Sequence, residues 1–309
     1  MKDGVNLFLM SIRFFIRYPI SIVPLIICWS IFAPVILYFK FYFNWDMFNT
    51  AESLIIIFLI YFGASFLIGI SCLILLEIAQ QVESEEEINL SKALKDCFLS
   101  DFIKAFPVLI IWSIIWFILV VIQALFSKKK SSDKGEDEKL TAKSAAETLA
   151  GIGDEFSLSK AFFNALKKGV RMIVFLILPA VAWEELSPLK AIKKGLNVFR
   201  NNIPEFLTGF ALTELFSTIV FLPVTIIFIV HYNVEIIFPE YVWYIVLVYI
   251  AFAWSLAFLV EQLYVAELYL WHIKWENEQK IAKAQGKELP ELMDVEKPSF
   301  FDNVKSLKA

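Results

Sequence analysis

The stretch LPAVAWEELSPLKAIKKGLNVFRNN, residues 178–202, decides how the chain is read. An apolar run ends at Trp183 in two glutamates, and Ser187 and Pro188 then open a lysine-studded segment. Serine is a good N-cap, and proline suits the first helical position, where an N–H would have no partner. Leu189, Ile192, Leu196 and Phe199 follow at spacings of three, four and three, with Lys190, Lys193, Lys194 and Arg200 on the remaining faces. Such a helix lies in the headgroup region, basic heads toward anionic lipid and apolar side toward the acyl boundary. Asn201, Asn202 and Pro204 break it before the next apolar run. The stretch reads as the end of a membrane span followed by an interfacial helix, and Lys190, Lys193, Lys194 and Arg200 are its candidate lipid-binding residues.

Composition places this stretch in a membrane protein. The 309 residues are 59% hydrophobic, with 31 Phe and 9 Trp, against roughly 45–50% apolar usage in soluble domains. The net charge of −4 hides an uneven distribution, since Lys and Arg crowd the connections and are nearly absent from the apolar runs. That pattern does not form a nucleic-acid-binding stripe. Cys28, Cys72 and Cys97 lie in or beside apolar runs without CxxC spacing, so they read as small hydrophobes rather than a disulfide framework or zinc site. Lys2, Arg13 and Arg17 precede a long run with no small-residue cleavage site before Phe39 and Lys40, which reads as an uncleaved first span.

A helix needs about 20 mainly apolar residues to cross a bilayer core. Five runs qualify: 20–38, 54–76, 107–125, 206–230 and 242–260. A sixth, 172–183, is short. It spans only if its helix starts near Ala161 and carries Lys167, Lys168 and Arg171 in its first turns with their heads snorkelling. The expected fold is all-α, a polytopic membrane helix bundle of about six transmembrane helices with interfacial amphipathic helices. A transmembrane domain, 1–271, holds two three-span halves separated by a charged loop, 127–157, with a short helix through 140–149. A polar tail, 272–309, is helical through KWENEQKIAKAQGK and broken near Pro290. With six spans, 17 of the 28 Lys and Arg residues fall on the side of both termini, which predicts cytoplasmic termini in a bacterial inner membrane. A re-entrant pair over 107–183 would leave four spans and the same sidedness, but 107–125 contains no charge and favours six.

The same grammar recurs as LSKALKDCFLSDFIKAFP from Leu90 and LSKAFFNALKKGVRM from Leu158. Four shared residues favour convergent amphipathic lead-in helices over an internal duplication. Pro179, Glu184, Glu185, Pro188, Ala191, Lys193, Lys194, Gly195 and Arg200, in this order, resemble the shared signature of a poorly characterised group of prokaryotic six-helix membrane proteins. These are related to the membrane domain that accompanies some glycerophosphodiester phosphodiesterases. The resemblance covers the carboxyl-terminal half well and the amino-terminal half only in the spacing of its spans; the long charged loop departs from it. It implies a span running into a basic helix and then the next span.

The phosphodiesterase activity itself is not carried over, because such hydrolysis needs paired histidines and a metal-binding carboxylate cluster. The only histidines are His231 and His272, and His272 with Glu276 makes two ligands at i, i+4, too few for a metal site. No glycine-rich phosphate loop, GxSxG or HExxH is present. The expectation is a protein without catalytic residues, cofactor or metal. Carboxylates at membrane depth are the sharper signal, because a charge there is costly. Glu77, Glu214 and Glu261 form the candidate intramembrane polar site; the blander reading sends Glu77 and Glu261 to the interface and bonds Glu214 to the basic helix before it. Gly63, Ala64, Ser65 and Gly69 suit close helix packing, and Trp45, Tyr241, Trp243, Trp271 and Trp275 suit interfacial belts. Two functions compete. One is a non-catalytic factor that organises lipids or binds a partner membrane protein; the other is a transporter or channel-like protein for a small solute, ion or lipid, which needs a continuous wet path past Glu214.

Overall fold

A computed structural model describes residues 2–83, 86–129, 158–233 and 238–295. Most of the charged loop lies outside them, including the helix expected at 140–149, as do residues 296–309. The chain is 89% helical with no strands among the described residues.

Short amphipathic helices alternate with long apolar hairpins. Helix α1 (Lys2–Arg17) leads into α2 (Val23–Phe41) and α3 (Thr50–Glu83). Helix α4 (Leu90–Asp96) leads through a π turn at Cys97–Asp101 into α5 (Phe102–Lys129) and α6 (Leu158–Ala182). Helix α7 (Pro188–Asn201) leads into α8 (Ile203–Asn233) and α9 (Glu240–Ala284). The lead-in helices are therefore α1, α4 and α7. The segment from Leu158, expected to be one of them, is instead the first half of α6.

Local chemistry fixes the joints. Asn89 caps α4 by accepting a 3.0 Å hydrogen bond from the Lys92 amide. Gln81, near the end of α3, grips the same residue, accepting from the Asn89 amide at 2.8 Å and donating to its carbonyl at 3.2 Å. Helices α5 and α6 run antiparallel: Lys104 meets Glu185 at one end, Trp112 lies against Phe175 midway, and Lys167 reaches Gln123 toward the other. The pair α8 and α9 does the same, Tyr264 donating to the Glu205 carbonyl and Tyr249 to that of Val220. The end that carries α7 and the start of α5 is here called the base. Gly4 of α1 lies there, against Thr208 and Tyr264.

Five helical segments are long and apolar enough to cross a membrane, and α6 is not among them. It nevertheless runs the depth of the bundle as a 25-residue helix that begins three residues before Ala161. Its apolar half is shielded by protein, with Phe175, Leu176, Leu178 and Ala182 fully buried. Protein partners, rather than hydropathy, make a helix with this much charge tolerable there. Lys168 and Arg171 do not snorkel; both turn into the bundle.

Buried side chains concentrate in the base half, including Cys72, Leu73 and Leu76 of α3 and Leu263, Tyr264 and Tyr269 of α9. The far halves of the spans expose Ile31, Leu59, Ile115, Ile219 and Val248. An exterior so apolar faces lipid. Within the bundle, Gly69 admits α5: a Cβ there would stand 2.4 Å from Leu109 Cδ2, whereas one at Gly63 would meet nothing. The three cysteines are buried and free.

Helix α9 runs through residue 271 without a break. At 1.5 Å per residue its 45 residues extend about 67 Å, more than twice the roughly 30 Å hydrocarbon core. It stops where Gly286 takes φ +66, the left-handed conformation that closes helices. The chain then folds back onto the base: Trp271 Nε1 donates to the Val295 carbonyl at 3.1 Å and Trp275 Nε1 to that of Pro290 at 3.0 Å. Trp271 is fully buried, so it belongs to the core and not to a belt. At the far end, Trp45 clusters with Phe39 and Phe43, and Trp243 with His231 and Phe238.

Candidate functional site

Two polar regions contain the residues singled out in the sequence, apart from Glu77. The first is α7. Ser187 precedes it in an extended conformation without a side-chain cap bond, and Pro188 takes the first turn. Its innermost face is Ala191, Gly195 and Val198. Gly195 lets α6 approach closely, since a Cβ would stand 2.5 Å from Ile177 Cγ1 and 3.0 Å from its Cα. Ile192 and Phe199 flank this face against the core. Leu189, at 81% exposure, and Leu196, at 45%, point away from it. The expected apolar stripe is thus divided, two residues inward and two outward, because the small residues between them fit α6 better.

The basic residues divide as well. Lys190, Lys193 and Arg200 are exposed and, with Leu196, Asn197 and the half-buried Lys194, line an open depression on the outer face of α7. Lys194 also makes an ion pair with Glu276. The other Glu276 oxygen lies 3.1 Å from His272 Nε2, and His272 Nδ1 lies 3.0 Å from Asn202 Nδ2. This chain of four residues fastens the middle and the carboxyl-terminal end of α7 to α9. It gives His272 and Glu276 a structural partner set and ties Lys194 to α9.

The second region is a cavity of about 230 Å³ between α6, α8 and α9. Lys168 Nζ stands 2.7 Å from Glu214 Oε2 and 3.2 Å from the Phe210 carbonyl. Arg171 grips Glu261 through two bonds, Nε to Oε1 and Nη2 to Oε2, each 2.7 Å. The guanidinium also sits 4.2 Å above the Phe258 ring centroid. Paired bonds of this kind hold both orientation and charge. Thr213, Ser217, Phe221, Trp254 and Ala257 complete the wall.

Glu214 and Glu261 therefore meet in one cavity, and Glu77 does not line it; Glu77 is buried near the base, one residue after the Leu76 carbonyl that Trp183 Nε1 reaches. The partner of Glu214 is Lys168 on α6, not the basic helix α7, and Glu261 is buried at 4% side-chain exposure rather than reaching an interface. Sequence reasoning missed Lys168 and Arg171 as site residues. Their spacing of three places them on one side of α6, and two carboxylates on later spans match them in number. The cavity reaches only from Trp254 to Glu261 along α9, two turns or about 10 Å. Toward the base, Leu263, Tyr264, Val265 and Ala266 are fully buried. The arrangement is a charge-balanced local pocket that can receive a polar group.

Comparison with protein-family models, curated proteins and solved structures finds no match.

Proposed function

We propose that this protein is a non-catalytic integral membrane factor that binds and organises anionic lipid at its base, with both termini in the cytoplasm of a bacterial cell. The observation that carries the reading is the outer face of α7, where Lys190, Lys193 and Arg200 stand exposed beside the exposed Leu189 and Leu196. Leucines that insert and cations that meet headgroups are the two components of interfacial binding. The short reach of the cavity past Glu214 favours this reading over transport.

Each cation near an anionic surface contributes about 1 kcal/mol. Replacing Lys190, Lys193 and Arg200 together by Gln should therefore reduce retention of phosphatidylglycerol by about a hundredfold at low salt, with the difference shrinking as salt screens it. Native mass spectrometry of protein released from mixed-lipid nanodiscs reads this directly. Equal retention by the variant and the wild type would remove the lipid-organising role. For sidedness, reporter fusions at residues 5 and 305 should give the same cytoplasmic signal, and opposite signals would overturn the topology.

A further inference from the structure

We infer that the cavity between α6, α8 and α9 is a headgroup site for an amine-bearing phospholipid entering sideways from the bilayer. The inference rests on the membrane placement proposed above but not on the α7 surface, which lies outside this cavity.

The mouth of the pocket identifies the source of the ligand. Glu214 has 62% of its side chain exposed, whereas its partner Lys168 has 8%. The other exposed side chains along this part of α8 include Leu207, Leu215, Ile219 and Leu222. A carboxylate on that apolar surface opens toward lipid, so a ligand reaching it brings an apolar body of its own. Size supports the same conclusion. Sites that engulf whole small molecules measure about 300–1,000 Å³, and this one, at about 230 Å³, admits a headgroup while the acyl chains stay outside along α8.

The unused polar atoms specify the headgroup. Lys168 bonds Glu214 Oε2, and among the described residues Oε1 accepts no hydrogen bond. Arg171 commits Nε and Nη2 to Glu261, and among the described residues Nη1 donates to nothing. Ser217 adds a hydroxyl to the same wall. A ligand carrying both a primary ammonium and a phosphate satisfies the pocket without breaking either ion pair: the ammonium donates to Glu214 Oε1, and the phosphate accepts from Arg171 Nη1 and the Ser217 hydroxyl. A choline headgroup has no N–H to donate, and a glycerol headgroup has no cation.

The test uses the full chain in nanodiscs of equimolar phosphatidylethanolamine, phosphatidylcholine and phosphatidylglycerol, with retained lipids counted by native mass spectrometry. The wild type should be enriched in phosphatidylethanolamine. Glu214→Gln should lower that enrichment about tenfold, the lower end for a hydrogen bond to a charged group. Ser217→Leu fills the pocket and leaves both ion pairs in place, so it should give the same loss with an unchanged melting temperature. The triple Gln variant of Lys190, Lys193 and Arg200 should keep its phosphatidylethanolamine while losing phosphatidylglycerol, which separates failure of this site from failure of the α7 surface. Full enrichment in folded Glu214→Gln, or equal retention of the ethanolamine and choline lipids, would overturn the proposal. So would displacement of the lipid by soluble glycerophosphoethanolamine, which would make the source aqueous.

Discussion

Arg171→Leu should destabilise the protein more than loss of any exposed charge, by about 3 kcal/mol, the cost of leaving a buried ion without its partner. Glu261 has only 4% of its side chain exposed, and both of its oxygens accept from the guanidinium at 2.7 Å. Lys168 is already held by Glu214 and the Phe210 carbonyl, so it is not available to substitute. The double variant Arg171→Leu, Glu261→Leu removes both charges and should recover most of the loss, because an apolar pair of similar volume satisfies the same space. Unfolding in detergent micelles, followed by circular dichroism, measures both. A single variant as stable as the wild type would show that the pair does not secure α6.

The contrast between these partners and the rest of the fold shows what a single sequence carries. The apolar runs could be read directly because lipid imposes one requirement on each helix separately, and the five helices that satisfy it lie over those runs. The start of α7 was also legible, since Pro188 sets the first turn locally, although Ser187 before it makes no side-chain cap bond. Pairing is a property of two helices at once. Nothing in the periodicity of α6 says that Lys168 faces Glu214, 46 residues away, or that Arg171 faces Glu261, 90 residues away. Hydropathy also undervalued α6, because its burial comes from neighbouring helices. The same limit explains α7: the periodicity put Leu189 and Leu196 on the apolar side, and only the approach of Ile177 makes Ala191 and Gly195 the inner face. In the tail, a polar composition concealed the docking of Val295 on Trp271.

Gly209→Ala should be the most damaging single methyl addition in the bundle. A Cβ at this position would stand 1.9 Å from Tyr264 Cε1 and 2.2 Å from its Cζ, far inside contact distance. The ring has little freedom to move aside. Tyr264 is fully buried, and its hydroxyl donates to the Glu205 carbonyl at 2.6 Å. On its other side lies α1, where a Cβ at Gly4 would come within 3.1 Å of the same hydroxyl and 2.7 Å of Thr208 Cγ2. Helices α1, α8 and α9 therefore close around one aromatic ring, and displacing it separates three helices. Overpacking typically costs about 1–3 kcal/mol, and this site belongs at the upper end. Gly63→Ala, where the added methyl meets nothing, is the control and should melt at or slightly above the wild-type temperature because alanine favours helix. Adding Tyr264→Leu to Gly209→Ala opens room for the methyl and should return part of the lost stability, although the bond to Glu205 is gone. If Gly209→Ala melts with the wild type in detergent, α8 and α9 are not in contact at this ring, and the closure of the base around Tyr264 is refuted.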